Sequence, residues 1–181
     1  LSGGGLKIAL MTVHVPLKKA ALLITKKEII KKAKVINEAL IKDFGIKNPR
    51  IALAGINPHA GENGQLGREE MEIINPAAET LRKEGINISD ALPADTLFHE
   101  EARSMYDAAI AMYHDQGLIP VKTLDFYGGV NITLGLPVVR TSPDHGTAFN
   151  IAGKNIARPD SLIAAIKTAR EISDNRAIQN A

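Results

Sequence analysis

The segment Tyr113-His114-Asp115-Gln116-Gly117, followed by Lys122, Asn131 and Arg140, sets an imidazole, a carboxylate and several cationic or polar groups in one glycine-punctuated stretch. Two further histidines occupy comparable places. His14 follows the apolar run Leu6 to Val13, and His59 lies within Asn57-Pro58-His59-Ala60-Gly61-Glu62. Neutral imidazoles from three strand ends could bind one divalent cation and leave coordination positions open for substrate and water, as a catalytic centre requires. Any one of them alone reads as a polar residue at a strand end; the placement shared by His14, His59 and His114 points to a metal. His99, in Leu97-Phe98-His99-Glu100, lacks that placement and reads as a surface or helix-cap residue. His145, in Asp144-His145-Gly146-Thr147, reads as either structural or ligand-contacting.

Asp115 and Asp95 are the carboxylates suited to proton handling or to orienting an imidazole by a hydrogen bond. Asp95, close to Pro93, also suits a turn. Lys122 and Arg140 would serve a phosphate or carboxylate, arginine by two parallel hydrogen bonds and lysine as a point charge. Solvated surface charge is the competing role for both, although Arg140 ends the apolar run Leu136 to Val139 and should be held near a sheet edge. Asn131, between Val130 and Ile132, needs hydrogen-bond partners if buried, so a ligand contact and a structural bond suit it equally.

The elements that must position these groups alternate in period. Leu6 to Thr12 reads as a buried strand, and Thr25-Lys26-Lys27-Glu28 forms a capping box before a helical face of Ile29, Ile30, Ala33, Ile36, Ala39, Leu40 and Phe44. Gly45 is a plausible stop. Arg50 to Ile56 is a second strand, and the polar loop Asn57 to Gly67 leads to a helix near Arg68 that Pro76 kinks or restarts and Gly85 ends. Ile86 to Ile88 and Ala108 to Met112 are further strands; Gly128 to Val139 reads as short strands joined by tight turns. Pro159 opens a final helix whose apolar face is Leu162, Ala165, Ile166, Ala169 and Ile172. This alternation predicts a layered α/β sheet, and ligands of such sheets bind beyond the carboxyl ends of the strands.

At 181 residues and 45% hydrophobic, the chain can bury a sizeable core as one domain, or as one domain and part of another. The formal charge of +2 balances 22 basic against 20 acidic residues, which argues against a nucleic-acid surface. The lysines between Lys18 and Lys34 read as a solvated helix face. With no cysteine, disulfides and thiolate metal sites are excluded. A cytoplasmic setting fits, with no membrane span and no signal peptide, and the start at Leu1 suggests a trimmed chain.

Four motifs carry a resemblance. Asn-Pro-His-Ala-Gly-Glu at 57–62, Tyr-His-Asp-Gln-Gly at 113–117, Gly-Val-Asn-Ile-Thr-Leu-Gly-Leu-Pro at 129–137 and Arg-Thr-Ser-Pro-Asp-His-Gly-Thr-Ala at 140–148 resemble the 4-hydroxythreonine-4-phosphate dehydrogenase family of pyridoxal phosphate biosynthesis. The likeness spans nearly the whole chain. It implies a three-layer α/β/α sheet of the isocitrate/isopropylmalate dehydrogenase-like type, present in part. Residues 1–140 would be a metal- and substrate-binding domain truncated at its N-terminus, and residues 141–181 a cofactor loop and C-terminal helix of a second domain. A preceding portion with a phosphate-contacting His-Thr pair is expected from the family.

The resemblance further implies oxidation of 4-phosphooxythreonine by NAD or NADP, with decarboxylation to 3-amino-2-oxopropyl phosphate. It assigns the metal to His14, His59 and His114 across a homodimer interface, and substrate contact to Lys122, Asn131 and Arg140. Lys122, Asp95 and Asp115 form the catalytic set of candidates. Zinc, cobalt or manganese suits three imidazoles, magnesium less well. The stretch from His145 to Asn155 resembles the superfamily's nucleotide-binding loop, with His145, Gly146, Ala148, Asn150 and Asn155 as cofactor contacts. The family commonly carries an acid where this chain has Asn150 and a glycine where it has Asn155, and Asn is the best non-glycine occupant of a left-handed position. Two alternatives accompany this expectation: a sibling dehydrogenase of threonate or erythronate 4-phosphate, and an inactive, dimer-forming metal-binding fragment.

Overall fold

The computed structural model of the chain describes residues 1–179. Seven strands form one sheet: β1 (Ser2–Gly3), β2 (Leu6–Leu10), β3 (Ile51–Ala54), β4 (Ile88–Leu92), β5 (Ala108–Ala111), β6 (Val130–Ile132) and β7 (Thr141–Pro143). Their order is β4-β3-β5-β2-β1-β6-β7. The first four in that order pair in parallel, and the last three continue the sheet with antiparallel pairs. The carboxyl ends of β2, β3 and β5 therefore open on one edge, where the three histidines follow.

Period-2 alternation divides the core into two layers. Ile51, Leu53, Ile110 and Met112 pack on one face against α2 (Lys26–Lys42) and α3 (Asn75–Lys83), whose buried residues include Ile29, Ala33, Leu40, Ala77 and Leu81. Each such Leu or Ile contributes about 1.5–3 kcal/mol by leaving water. Of the expected capping box the N-cap bond is formed, with the Thr25 hydroxyl accepting from Glu28 N at 3.3 Å. Ala52, Ala54, Ala109 and Ala111 face the other way, against Leu97, Tyr106 and Val121. The expected three-layer α/β/α sandwich is observed.

Alanines on that second face let α6 (His114–Leu124) lie close to the sheet. A Cβ on Gly117 would stand 2.5 Å from Leu10 Cδ2 and 2.8 Å from Ile8 Cγ2, so glycine is required by contact. The sequence reading assigned no element to this glycine-punctuated stretch; Gly117 and Pro120 both lie inside the helix. Three further helices, α1 (Leu17–Leu23), α4 (Ala94–Leu97) and α5 (Glu100–Arg103), have no counterpart in that reading. His99 caps α5 through Nδ1, which lies 3.5 Å from Ala102 N, as the helix-cap reading expects.

Two expected elements are displaced. The strand placed at Ile86 to Ile88 runs instead over Ile88–Leu92, because Ile86 N bonds Leu81 O and still belongs to the end of α3. The final helix, α7 (Asp160–Gln179), buries Ser161, Ala165 and Ile172, while Leu162 and Ile166 are 51% and 61% exposed. Polar bonds set this rotation: the Ser161 hydroxyl donates to Gly129 O at 2.5 Å and accepts from Asp144 N at 3.0 Å, and Thr141 Oγ1 donates to Ala165 O at 2.8 Å. Near its other end Arg176 forms a bidentate pair with buried Asp43 at 2.6 and 3.0 Å, docking α7 on the end of α2. Among the described residues, no helix is long and apolar enough to cross a membrane.

Candidate active site

Adjacent parallel strands deliver two of the three histidines to one point. The register Leu10↔Ala111 aligns β2 with β5, and the alignment continues past both ends. Met11 N bonds Ala111 O at 2.8 Å, and Thr12 Oγ1 donates to Met112 O at 2.9 Å. Lys32, from the lysine-rich helix, is half-buried rather than solvated, and its ammonium donates to Met11 O at 2.5 Å. His14 and His114 consequently stand with ring centroids 5.5 Å apart, tilted by 44°. His114 Nδ1 lies 2.6 Å from Asp115 Oδ1. A proton held on Nδ1 by that carboxylate leaves the Nε2 lone pair available to a metal.

The two imidazoles border a cleft that also contains Leu118, Asn131 and Asp144. Asn131 is exposed on β6, two strands beyond β2, so its side chain is free for a ligand and is not committed to a buried hydrogen bond. Lys122 Nζ lies 2.9 Å from Asp144 Oδ2, off the hydrogen-bond direction, and its hydrogen bond runs to Asp144 O at 3.2 Å. Asp144, which sequence reasoning did not single out, lines the cleft and holds Lys122 beside it, although Lys122 itself is not part of the lining. Arg140 is exposed beyond β6, its Nη1 donating to Thr133 Oγ1 at 2.8 Å; among the described residues no carboxylate pairs with it. Asp115 also lines a second groove on the outer side of α6, shared with Asp95 in the first turn of α4.

His59 is placed differently. It opens a left-handed turn in which His59, Ala60, Gly61, Glu62 and Asn63 have φ of 52°, 51°, 81°, 43° and 55°. Each non-glycine residue there costs roughly 1–2 kcal/mol, so the surroundings must impose the conformation. Asn57 helps, its side chain donating to Glu69 Oε2 at 2.7 Å and holding that carboxyl below its ordinary range. His59 lines neither the cleft nor the small pocket around His14 and His114. Among the described residues, no three His, Cys, Asp or Glu side chains are grouped to hold a metal. Within one chain, then, the histidines form a pair and a separate third.

The expected cofactor segment is exposed throughout, at His145, Gly146, Ala148, Asn150 and Asn155. His145 Nδ1 lies 3.0 Å from Gly146 O. Asn150 sits in a short turn, Phe149–Ile151, behind left-handed Ala148, and Asn155 has φ +54°, the conformation for which asparagine best replaces glycine. None of the five lines the cleft.

Buried Gln116, quoted in a motif but given no role, links the strand ends that carry His59 and His114. Its Oε1 accepts from Met112 N at 2.6 Å and its Nε2 donates to Gly55 O at 2.7 Å. Its position beside a His-Asp pair was the available signal.

Comparison with known proteins agrees with this architecture. The family profile described as pyridoxal phosphate biosynthetic protein PdxA matches residues 1–169. The chain is 64% identical over 177 residues to 4-hydroxythreonine-4-phosphate dehydrogenase of Maricaulis maris, covering 98% of this chain and 52% of that protein. The corresponding protein of Caulobacter vibrioides is 60% identical over 178 residues, covering 98% and 54%. The chain thus spans about half the length of these curated relatives. Among solved structures, 4-hydroxythreonine-4-phosphate dehydrogenase of Klebsiella pneumoniae superposes with a TM-score of 0.87 at 44% identity, over 96% of this chain and 52% of that one. A terephthalate 1,2-cis-dihydrodioldehydrogenase of Burkholderia xenovorans gives 0.74 at 36% identity, over 92% and 53%. With its profile matched from the first strand into the last helix, the chain belongs to the PdxA family of pyridoxal phosphate biosynthetic proteins.

Proposed function

We propose that this chain forms the metal- and substrate-binding part of an NAD- or NADP-dependent dehydrogenase. Its substrate is 4-phosphooxythreonine, which it oxidises and decarboxylates to 3-amino-2-oxopropyl phosphate in pyridoxal phosphate biosynthesis. The observation that carries this is the His14–His114 pair, with Asp115 on one imidazole, bordering the same cleft as Asn131 and Asp144, the latter in contact with Lys122.

The donor chemistry fits a divalent ion such as zinc, cobalt or manganese, since two imidazoles converge and one has its tautomer fixed. His59 of a second copy would complete the set, which explains why one chain does not gather three donors and makes the working form a homodimer. Such an ion supplies Lewis-acid stabilisation of negative charge on a substrate oxygen. The chain's own groups do the rest. Arg140, with no carboxylate partner among the described residues, binds an anionic substrate group; Lys122 exchanges its contact with Asp144 for another; Asn131 hydrogen-bonds between them. Asp115 keeps the His114 proton on Nδ1, and with Asp95 it is the carboxylate available to a proton leaving the site. Residues 1–140 form the metal and substrate domain, and residues 141–181 bring the nucleotide loop at His145 to Asn155, where Asn150 offers ribose hydroxyls an amide in place of a carboxylate.

The test follows reduction of NAD and of NADP by 4-phosphooxythreonine, using the chain alone and the chain fused behind the N-terminal portion of a relative. Activity in the fusion, with metal lost from His114→Ala and a raised KM in Arg140→Ala, supports the assignment. A dimer retaining stoichiometric metal in His114→Ala removes that residue from the centre. A second reading concerns substrate class, because the Burkholderia xenovorans neighbour is named for a diol without a phosphate. Turnover of threonate or erythronate 4-phosphate, or of an unphosphorylated diol, in preference to the amino acid phosphate would reassign the specificity. Bound metal with no turnover of any of them would make the chain a dimerising fragment.

A further inference from the structure

The turn that carries His59 is closed over a buried carboxylate. Glu70 is 1% exposed, and among the described residues no lysine, arginine or histidine pairs with it. Its Oε1 accepts from Ile56 N and Asn57 N, both at 2.8 Å, and its Oε2 accepts from Asn57 Nδ2 at 3.0 Å. An ionised carboxylate buried in this way must be compensated by hydrogen bonds, and every one of these donors belongs to the two residues leading into the turn. The packing is equally specific. A Cβ on Gly61 would stand 2.7 Å from Glu70 Oε2, and one on Gly55 would stand 3.2 Å from Oε1 and 3.0 Å from Ala60 Cα. Gly67 closes the far side, where a Cβ would meet the Asn57 amide at 2.2 Å.

Resting on the metal assignment above, we propose that Glu70 is the positioning residue of the His59 ligand. It holds the backbone at 56–57 so that the following residues take the left-handed path, and that path decides the direction in which the imidazole leaves the chain. A right-handed turn at residue 59 would send the same side chain elsewhere, which gives a buried, otherwise uncompensated carboxylate a reason to stand here. Glu70 touches neither metal nor substrate in this role.

The experiment compares Glu70→Gln, which keeps the volume and one acceptor but turns a donor toward Asn57 Nδ2, with Glu70→Ala and His59→Ala. Cobalt(II) is the probe, read by its affinity and its visible absorption, and the His59 and His114 ring resonances are followed by NMR in metal-free protein. In Glu70→Gln, cobalt affinity falls roughly 10- to 100-fold, and the His59 resonance moves while that of His114 does not. Parental affinity in Glu70→Gln, when His59→Ala has lost cobalt, overturns the role of Glu70 and leaves the metal assignment standing. Cobalt retained in His59→Ala overturns the metal assignment instead, and the His59 resonance then decides alone: moved in Glu70→Gln, it supports positioning; unmoved, it ends the proposal. Should Glu70→Ala fail to fold, the isosteric variant still decides.

Discussion

The two ends of the β3–β5 strand pair are fastened by different chemistry. Where the strands begin, Arg50 and Asp107 form a half-exposed ionic link, with Arg50 N and Nε both donating to Asp107 Oδ2 and Nη2 to Oδ1. Where they finish, buried Gln116 spans Met112 N and Gly55 O with one neutral amide. The charged fastening faces water and tolerates movement and screening. The neutral one lies between the strand ends that lead to His59 and His114, where an extra charge would compete with the cation proposed above and where a lost partner leaves main-chain groups stranded. Fastening by amide rather than by ion pair suits the end of the sheet to which the metal donors are assigned in the proposal above.

Substitutions should separate the two ends, beginning with the most damaging. Gln116→Ala strands Met112 N and Gly55 O, and at about 1–3 kcal/mol for each unsatisfied group it should cost about 2–6 kcal/mol in denaturant unfolding; a loss under about 1 kcal/mol would contradict the fastening. Gly117→Ala drives a methyl into Leu10 and Ile8, and should cost about 1–3 kcal/mol while weakening metal binding through the tilt of α6. Asp107→Asn at the other end should have a smaller, pH-dependent effect. The hydrogen bonds from Arg50 hold the Asp107 carboxyl below its ordinary range, so their stabilising contribution is present above that range and disappears as pH falls through the depressed folded value. The wild type and Asp107→Asn should therefore converge in stability in acid; a difference that persists there would mean the link is not electrostatic. Smallest of all, Asn63→Gly, at φ +55°, should change stability by no more than about 1 kcal/mol, since glycine adopts the left-handed conformation without a Cβ penalty.

The parallel core was readable because its strands are largely apolar runs: Ala108 to Met112 is unbroken, and Leu6 to Met11 is interrupted only by Lys7. β4 was not, because Ser89 and Asp90 interrupt it at the sheet edge, where Ser89 Oγ accepts from Leu53 N across a register shift. α6 was hidden by Gly117, whose reason for being glycine is a neighbour over a hundred residues earlier. At the site, His14 and His114 were legible as strand-end residues that neighbouring strands bring together. What one sequence could not convey is that Glu70, one of two adjacent glutamates, is buried and its neighbour is not, or that Asp144 would take up Lys122. Both depend on long-range geometry rather than on local spacing.

The pair between Arg176 and Asp43 has a kinetic meaning. A carboxylate 133 residues from its guanidinium is closed over only when α7 docks, so contacts of long sequence separation wait on that helix. During synthesis, β2 and α2 leave the ribosome long before Arg176 does, and Asp43 must stay hydrated until then. Docking of α7 thereby registers that synthesis has passed residue 176: a nascent chain cut short of it would keep one buried position charged and unpaired, and would be held in an open form that proteases can read.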